Sequence, residues 1–258
     1  QTAYANGSST AYLRDICKIH VSIAKTGVKH VHHTAESNYD VGIYFEPNGH
    51  GTVLLGPSFH SYMSHAEQAL RSNNTNAATE QRAVLAWKRL MVLPSLVNQA
   101  VGDALSDMLL VEGIMQIKEE EGWANIIGED AISDFELWNG LYQDMPSRQC
   151  KVRVKDRSVI VMNHNETKAK QPQSLQQALD SEMTTFANAA AAAQPSGGND
   201  NASLAKPRCF VRPSGTEDVV RVYAEAGTKK EADDLAERAA VLVHMLCGGV
   251  GDPPNDLF

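Results

Sequence analysis

Two apolar runs, separated by a short polar loop and followed at once by a sharply delimited helix, constrain this chain most. Cys209-Phe210-Val211 and Val219-Val220-Arg221-Val222-Tyr223 are rich in β-branched and aromatic residues, the composition of paired strands. Thr228 stands three residues before Glu231, the spacing of a capping box. Apolar residues then recur at Ala232, Leu235, Ala236, Ala239, Leu242, Val243 and Leu246, which fall on one helical face, and Gly248 and Gly249 stop the run. Strands that must cover one face with a helix make a small α+β domain. Upstream, Val152, Val154 and Val159-Ile160-Val161 predict strands around a turn at Asp156-Arg157, and Ser174 to Phe186 predicts a helix. The stretch 187–205, rich in Ala, Gly, Ser and Asn, is expected to be a flexible surface loop. This domain is expected to occupy 146–258.

The preceding residues, 1–145, read as an α/β domain. Thr2 to Tyr4 resembles the tail of a strand, and Ser8 or Ser9 offers a cap for a helix over Ala11–Lys18. Ile19 to Ala24 predicts a strand, the turn Lys25-Thr26-Gly27 a helix start, and Val41–Phe45 and Thr52–Leu55 two further strands. Strand, helix, strand in this order favours a largely parallel sheet. From Thr79 to Lys118 the pattern is helical, interrupted at Pro94, with Ala104, Met108, Val111 and Met115 on one face. Glu119-Glu120-Glu121-Gly122 ends that block, and Asp134 to Asp144 predicts a helical crossover.

Three segments carry chemistry. Arg212-Pro213-Ser214-Gly215-Thr216-Glu217 lies between two strands. Arg212 offers parallel N–H donors to an anion, Ser214 and Thr216 offer hydroxyls, Gly215 lets the backbone N–H turn inward, and Arg221 follows on the next strand. Taken alone, the loop reads equally as a polar turn with a surface arginine. Glu46-Pro47-Asn48-Gly49-His50-Gly51 follows a strand, where α/β sheets place ligands. A carboxylate accepts from two adjacent hydroxyls, and Asn48 both donates and accepts; a solvated glutamate in a Gly-rich turn is the plain alternative. Lys25-Thr26-Gly27-Val28-Lys29-His30 opens a helix, whose N-terminus favours an anion. His30, His32 and His33 do not predict zinc, because neighbours on a helix point apart and no carboxylate or cysteine has matching spacing.

A net charge of −8 excludes a broad nucleic-acid footprint, which needs a basic face. Cys17, Cys150, Cys209 and Cys247 form no C-x-x-C pair, so reduced thiols and a cytoplasmic setting are expected. No apolar run is long enough to span a membrane. The chain opens without methionine or a signal-peptide pattern, which reads as a cut inside a longer protein.

The run from Cys209 to Glu225, C-F-V-R-P-S-G-T-E-D-V-V-R-V-Y-A-E, closely resembles the C-terminal domain of the α-D-phosphohexomutases. The E-P-N-G-H-G loop is similar to the E-x-N-G-H-G form of eukaryotic phosphoacetylglucosamine mutases within that family, with Pro47 where a small residue is usual. Other members carry a G-E-x-S loop.

The resemblance implies a three-layer α/β domain with a mixed sheet, followed by a smaller α+β domain of the TATA-box-binding-protein-like type. These would be the third and fourth of four domains. It implies that Arg212, Ser214, Gly215, Thr216 and Arg221 hold the substrate phosphate. Glu46, Asn48, Gly49 and His50 would hold the sugar, and Lys29 and His30 would stand near the transferring phosphoryl group.

The implied activity interconverts N-acetylglucosamine 6-phosphate and 1-phosphate, through an enzyme phosphoserine and a bisphosphate, in UDP-N-acetylglucosamine synthesis. The family's T-A-S-H-N-P type serine loop and its D-G-D type magnesium loop do not occur in these residues. Mg2+, the reacting serine and two further domains are therefore expected from the remainder of the same enzyme, and this chain alone is expected to bind without turning over. A mutase of other sugar preference, or a non-catalytic sugar-phosphate sensor, would keep the same loops.

Overall fold

The structure is a computed structural model, and it describes residues 1–72, 77–120, 140–193 and 206–254. Contacts divide the chain into two compact units, 1–2 with 26–138, and 3–25 with 139–258. Grouping by packing thus differs from the 145/146 division expected along the chain, because residues 3–25 pack with the later unit.

In the first unit, α2 (Val28–Asn38) precedes the antiparallel hairpin of β1 (Val41–Phe45) and β2 (Gly51–Leu55). Helices α3 (Pro57–Ser72), α4 (Ala77–Leu96) and α5 (Ala104–Glu120) follow. Val53, Leu55, Phe59, Met63 and Val97 form its core. The strand expected over Ile19–Ala24 and the parallel sheet are not found among the described residues: only Ala24 in that segment makes a β-bridge, and the named strands pair antiparallel. Pro94 lies inside α4 and not between helices; it falls in the last turn, so the one ladder bond its missing N–H forfeits is close to where the helix stops at Leu96. On the face of α5 expected to pack, Ala104 and Met108 are exposed while Val111 and Met115 are half-buried, and the neighbouring Asp107 is buried. The crossover helix expected from Asp134 lies outside the described residues as far as 139, and 140–144 are not helical.

In the second unit, Asn6, not Ser8 or Ser9, caps α1 (Gly7–Ala11), its Oδ1 accepting from Ser8 N–H at 3.0 Å. A π-helical turn, Tyr12–Ile16, continues it. Strands β3 (Ser147–Arg153), β6 (Arg208–Pro213) and β7 (Val219–Glu225) form an antiparallel sheet in the order β3-β7-β6. A short hairpin of β4 (Val161–Met162) and β5 (Ala169–Gln171) precedes α6 (Gln173–Ala193), and α7 (Lys229–Leu246) ends the unit. Helix α6 therefore runs seven residues into the stretch expected to be a loop. The residues there are mostly alanine, the best helix former, and the rest of 187–205 lies outside the described residues.

Because side chains alternate along a strand, the sheet has two unlike faces. One carries Cys209, Val211, Val220, Val222, Ala224 and Val152 and packs on Leu175 and Leu179 of α6 and Leu235, Ala239 and Val243 of α7. The other carries, in register, Arg208 opposite Glu225, Phe210 opposite Tyr223, and Arg212 opposite Arg221. Ala3 and Tyr4 cover its apolar middle, Tyr4 meeting Phe210 and Tyr223 edge-on at 5.0 and 5.8 Å between centroids.

The capping box of α7 forms as the sequence predicts: Glu231 N–H donates to Thr228 Oγ1 at 3.2 Å, and Thr228 N–H to Glu231 Oε2 at 2.9 Å. Thr228→Ala is expected to cost about 1 kcal/mol of stability, read as a lowered midpoint in urea denaturation with the slope unchanged.

Candidate functional site

The strand ladder places two cations side by side. Arg212 and Arg221 are direct partners across β6 and β7, so their side chains share a face, and like charges so placed repel. Lys151, opposite Arg221 on β3, extends the row. An anion bound there relieves the repulsion of all three. The polar loop closes over this end of the ladder: Ser214 is buried and its N–H donates to the Val219 carbonyl at 2.8 Å, while Gly215, Thr216 and Arg221 are exposed. Arg157, in a 3-10 turn (Arg157–Val159), donates from Nη2 to the Gly215 carbonyl at 3.1 Å. A trans peptide fixes N–H opposite C=O, so this contact sets which way the Thr216 N–H faces. Arg212 donates from Nε to buried Glu166 at 2.7 Å. Burial raises the Tyr4 hydroxyl, while Arg212 and Arg221 pull it back down, which places it in their field. Cys209, inside the core beneath, is pushed up to about 12 by burial and is no nucleophile.

Lys151, Arg157 and Glu166 were not singled out by the sequence reading. Lys151 becomes relevant only through strand register, and the other two through contacts distant in sequence. The Asp156-Arg157 turn was visible, but its target was not.

In the first unit, the β1–β2 loop and the start of α2 are tied together. Glu46, buried at 7% exposure, accepts from Gly27 N–H through Oε1 at 2.9 Å. Gly27 has φ 122°, a conformation only glycine adopts without strain, and it points this N–H at the carboxylate. Oε2 faces the His50 ring, with 3.9 Å to Nδ1. The loop closes on itself through Gly49 N–H to the Glu46 carbonyl at 3.0 Å, Glu46 N–H to the His50 carbonyl at 2.9 Å, and His50 N–H to Asn48 Oδ1 at 3.0 Å. Gly51 admits the Phe45 ring: a Cβ there would stand 2.2 Å from its Cδ1. Asn48 and His50 are exposed, as is Lys29, and His30 is half-buried on the first turn of α2. The Glu46 carboxylate thus joins the basic turn to the β1–β2 loop. Beneath them, buried Tyr44 meets His32 Nδ1 at 3.3 Å, and burial followed by the charges of Asp107 and Glu46 raises its hydroxyl. Among the described residues, no three His, Cys, Asp or Glu side chains gather closely enough to share a metal ion, and no helix is long and apolar enough to cross a membrane.

Family models match both segments that carry these loops. Residues 1–120 match "Phosphoacetylglucosamine mutase AMG1, domain III", and residues 151–241 match "Phosphoglucomutase/phosphomannomutase, C-terminal domain". The phosphoacetylglucosamine mutase of Arabidopsis thaliana is 45% identical over 96% of this chain and 38% of its own length. That of Homo sapiens is 40% identical over 100% of this chain and 40% of its own length. The chain belongs to the phosphoacetylglucosamine mutase family. It is similar to the crystal structure of Aspergillus fumigatus N-acetylphosphoglucosamine mutase in complex with GlcNAc-6P and magnesium, with a TM-score of 0.73 and 38% identity over 96% of this chain and 38% of that one. The chain therefore spans about two fifths of the length of the family members it matches. Its matched segments are the third domain and the C-terminal domain of a phosphohexomutase.

Proposed function

We propose that this chain is the substrate-holding portion of a phosphoacetylglucosamine mutase, gripping N-acetylglucosamine 6-phosphate and its 1-phosphate isomer by sugar and by phosphate. The observation that carries this is the juxtaposition of Arg212 and Arg221 across one ladder, beneath the loop Ser214–Thr216. In this reading the non-reacting phosphate lies against Arg212, Arg221, the Ser214 and Thr216 hydroxyls and the Gly215 backbone. Glu46, Asn48, Gly49 and His50 orient the sugar, and Lys29 and His30 face the phosphoryl group in transfer. The first domain, 1–145, supplies the sugar loop and the second, 146–258, the phosphate loop.

In this reading the chemistry of transfer, a serine that carries the phosphoryl group and carboxylates that hold Mg2+, comes from the remainder of the enzyme. What this chain contributes is positioning. Holding the far phosphate lets either hydroxyl of the sugar be presented in turn, and fixing that geometry removes much of the entropic barrier to reaction. Turning the bisphosphate over exchanges the phosphate that is held, so the charge-assisted bonds break at that step and re-form on the other phosphate.

The test is to titrate the 258-residue chain with N-acetylglucosamine 6-phosphate and with glucose 6-phosphate, following backbone amide NMR shifts. Movement of Gly215 with both ligands, and of Gly49 with tighter binding of the acetylated sugar, is expected. Silence of both amides at millimolar ligand sinks the reading.

A further inference from the structure

We infer that Glu166 is a positioning residue for the phosphate grip, holding Arg212 by its Nε so that the two terminal nitrogens of the guanidinium face the anion. The inference rests on the phosphate reading of the Ser214–Thr216 loop and adds to it a residue from a different segment of the chain.

Four observations carry it. Glu166 is 7% exposed, and its Oε2 stands 2.7 Å from Arg212 Nε, whose side chain keeps 21% exposure. The pair is thus a half-open one: the acid is inside, and the cation reaches the surface. Second, Glu166 has φ 56°, a left-handed conformation unfavourable for a residue with a Cβ, and such a conformation persists where the surroundings impose it.

Third, the turn between β4 and β5 imposes it. Asn163 Oδ1 accepts from the N–H groups of Thr167 and Lys168 at 2.9 and 3.1 Å. Asn163 N–H donates to the Lys168 carbonyl at 2.8 Å, and Glu166 N–H to the Asn163 carbonyl at 3.1 Å. Asn163 Nδ2 donates to Thr167 Oγ1 at 3.1 Å. A turn this closely knit fixes where the Glu166 side chain points. Fourth, Arg212 sits opposite Arg221, whose charge pushes it away from the position an anion needs. A carboxylate on its inner side holds it there.

The chemistry follows from the shape of the guanidinium. It is a planar fork of five N–H donors, and it grips a phosphate through two parallel bonds only when one edge is presented squarely. Occupying Nε leaves the phosphate to the terminal nitrogens, which stand near the Tyr4 hydroxyl, and fixes the plane of the fork. Glu166 does not touch the phosphate in this arrangement and acts only through Arg212. Its negative charge also tempers the attraction of the site for an anion. The proposal holds that orientation outweighs that charge.

The two effects predict opposite results, which makes the test decisive. The 258-residue chain and its variants are titrated with inorganic phosphate and N-acetylglucosamine 6-phosphate, reading the Gly215 amide and the Arg212 Nε–H resonance by NMR. Glu166→Ala is expected to weaken phosphate binding about tenfold and to broaden the Arg212 Nε–H signal. Glu166→Gln keeps an acceptor oxygen without the charge, so it is expected to retain that signal and to bind within about threefold of the parent. A purely structural role would lower the melting temperature of both variants without this split in affinity.

Binding that is unchanged or tighter in Glu166→Ala overturns the proposal, because charge, not orientation, would then dominate. Should Glu166→Ala fail to fold, Glu166→Asp decides. It withdraws the acceptor by one methylene, and undiminished affinity there is equally fatal. Arg212→Ala is run alongside. If it abolishes phosphate binding while Glu166→Ala does not weaken it, this inference alone fails. If Arg212→Ala binds normally, or the parent chain shows no response to phosphate, the phosphate reading falls and the inference with it.

Discussion

Glu225→Ala is expected to lower the unfolding free energy of the second unit by about 3–5 kcal/mol, the cost of removing one partner from a buried ion pair. Glu225 is 0% exposed at the end of β7. Its Oε1 accepts from Arg208 Nε at 3.0 Å and from Gly7 N–H at 2.9 Å, and its Oε2 from Tyr223 Oη at 2.7 Å and Arg208 Nη2 at 3.2 Å. Arg208 in turn donates to the Ala3 and Ala5 carbonyls at 2.9 and 2.7 Å, and its guanidinium lies over the Phe210 and Tyr223 rings. One carboxylate therefore fastens residues 3–7 to the open face of the sheet. Burial, followed by the charge of Glu225, raises the Tyr223 hydroxyl far above its ordinary value, so it stays a donor throughout the working pH range.

Removing the carboxylate takes this acceptor from a half-buried guanidinium, which keeps the Ala3 and Ala5 carbonyls, from a buried phenol and from the half-buried Gly7 N–H. Each such loss costs about 1–3 kcal/mol, and relaxation of the N-terminal segment recovers part of it. Glu225→Gln keeps one carbonyl oxygen and is expected to lose roughly half as much. Urea denaturation gives the magnitudes. Hydrogen exchange locates the change, because the amides of Ala5 to Ser8 should lose protection before those of α7. A loss below about 1 kcal/mol in the alanine variant would mean that the aromatic packing of Tyr4 alone holds the segment.

How much of this was legible in the sequence depended on how local the signal was. The capping box, the apolar stripe and the glycine stop of α7 all lie within one segment, and the helix forms where they place it. The β1–β2 hairpin and the β6–β7 pair also carry their turn chemistry between their strands. Where two local signals competed, the weaker-looking one won. The Gly, Ser and Asn that follow the alanine-rich run favour a loop, yet helical propensity carries α6 to Ala193. Ser8 and Ser9 were natural caps by type, but Asn6 takes the role because its Oδ1 also accepts from Met145 N–H at 3.1 Å, a partner far along the chain. Ile19–Ala24 has strand composition, and no described neighbour ladders it beyond Ala24. Composition states what a segment tolerates, and pairing decides what it becomes.

The site divides the same way. Arg212, Ser214, Gly215, Thr216 and Arg221 lie in one continuous run, which by itself reads equally as a polar turn and gains its phosphate reading from the family resemblance. That Arg212 and Arg221 stand directly opposite follows from the register of β6 and β7, which the loop length sets but the sequence does not print. Glu166 and Arg157 arrive from two turns, 46 and 58 residues from Arg212 and Gly215, and Lys151 arrives from β3, further still along the chain from Arg221. No motif spans such distances, and only the folded sheet brings them together.

Arg212→Ala is expected to weaken phosphate binding about a hundredfold, and the reason that figure is large also shows how to isolate it. Two charge-assisted bonds at the low end of their usual range, about 1.5 kcal/mol each, amount to roughly two decades in affinity. The same substitution strips buried Glu166 of its guanidinium, so the variant also loses stability, and a binding defect could be mistaken for partial unfolding. Adding Glu166→Gln removes the stranded charge. The double variant is expected to regain stability in urea while its affinity for phosphate stays low. Arg212→Lys makes the complementary case. Its compact ammonium meets either Glu166 or one phosphate oxygen but offers no parallel pair, so about a tenfold loss is expected with near-parental stability. Graded affinity across arginine, lysine and alanine, uncoupled from stability in the double variant, would establish the fork itself as the anion grip. A loss under about threefold in Arg212→Ala would instead place the anion elsewhere.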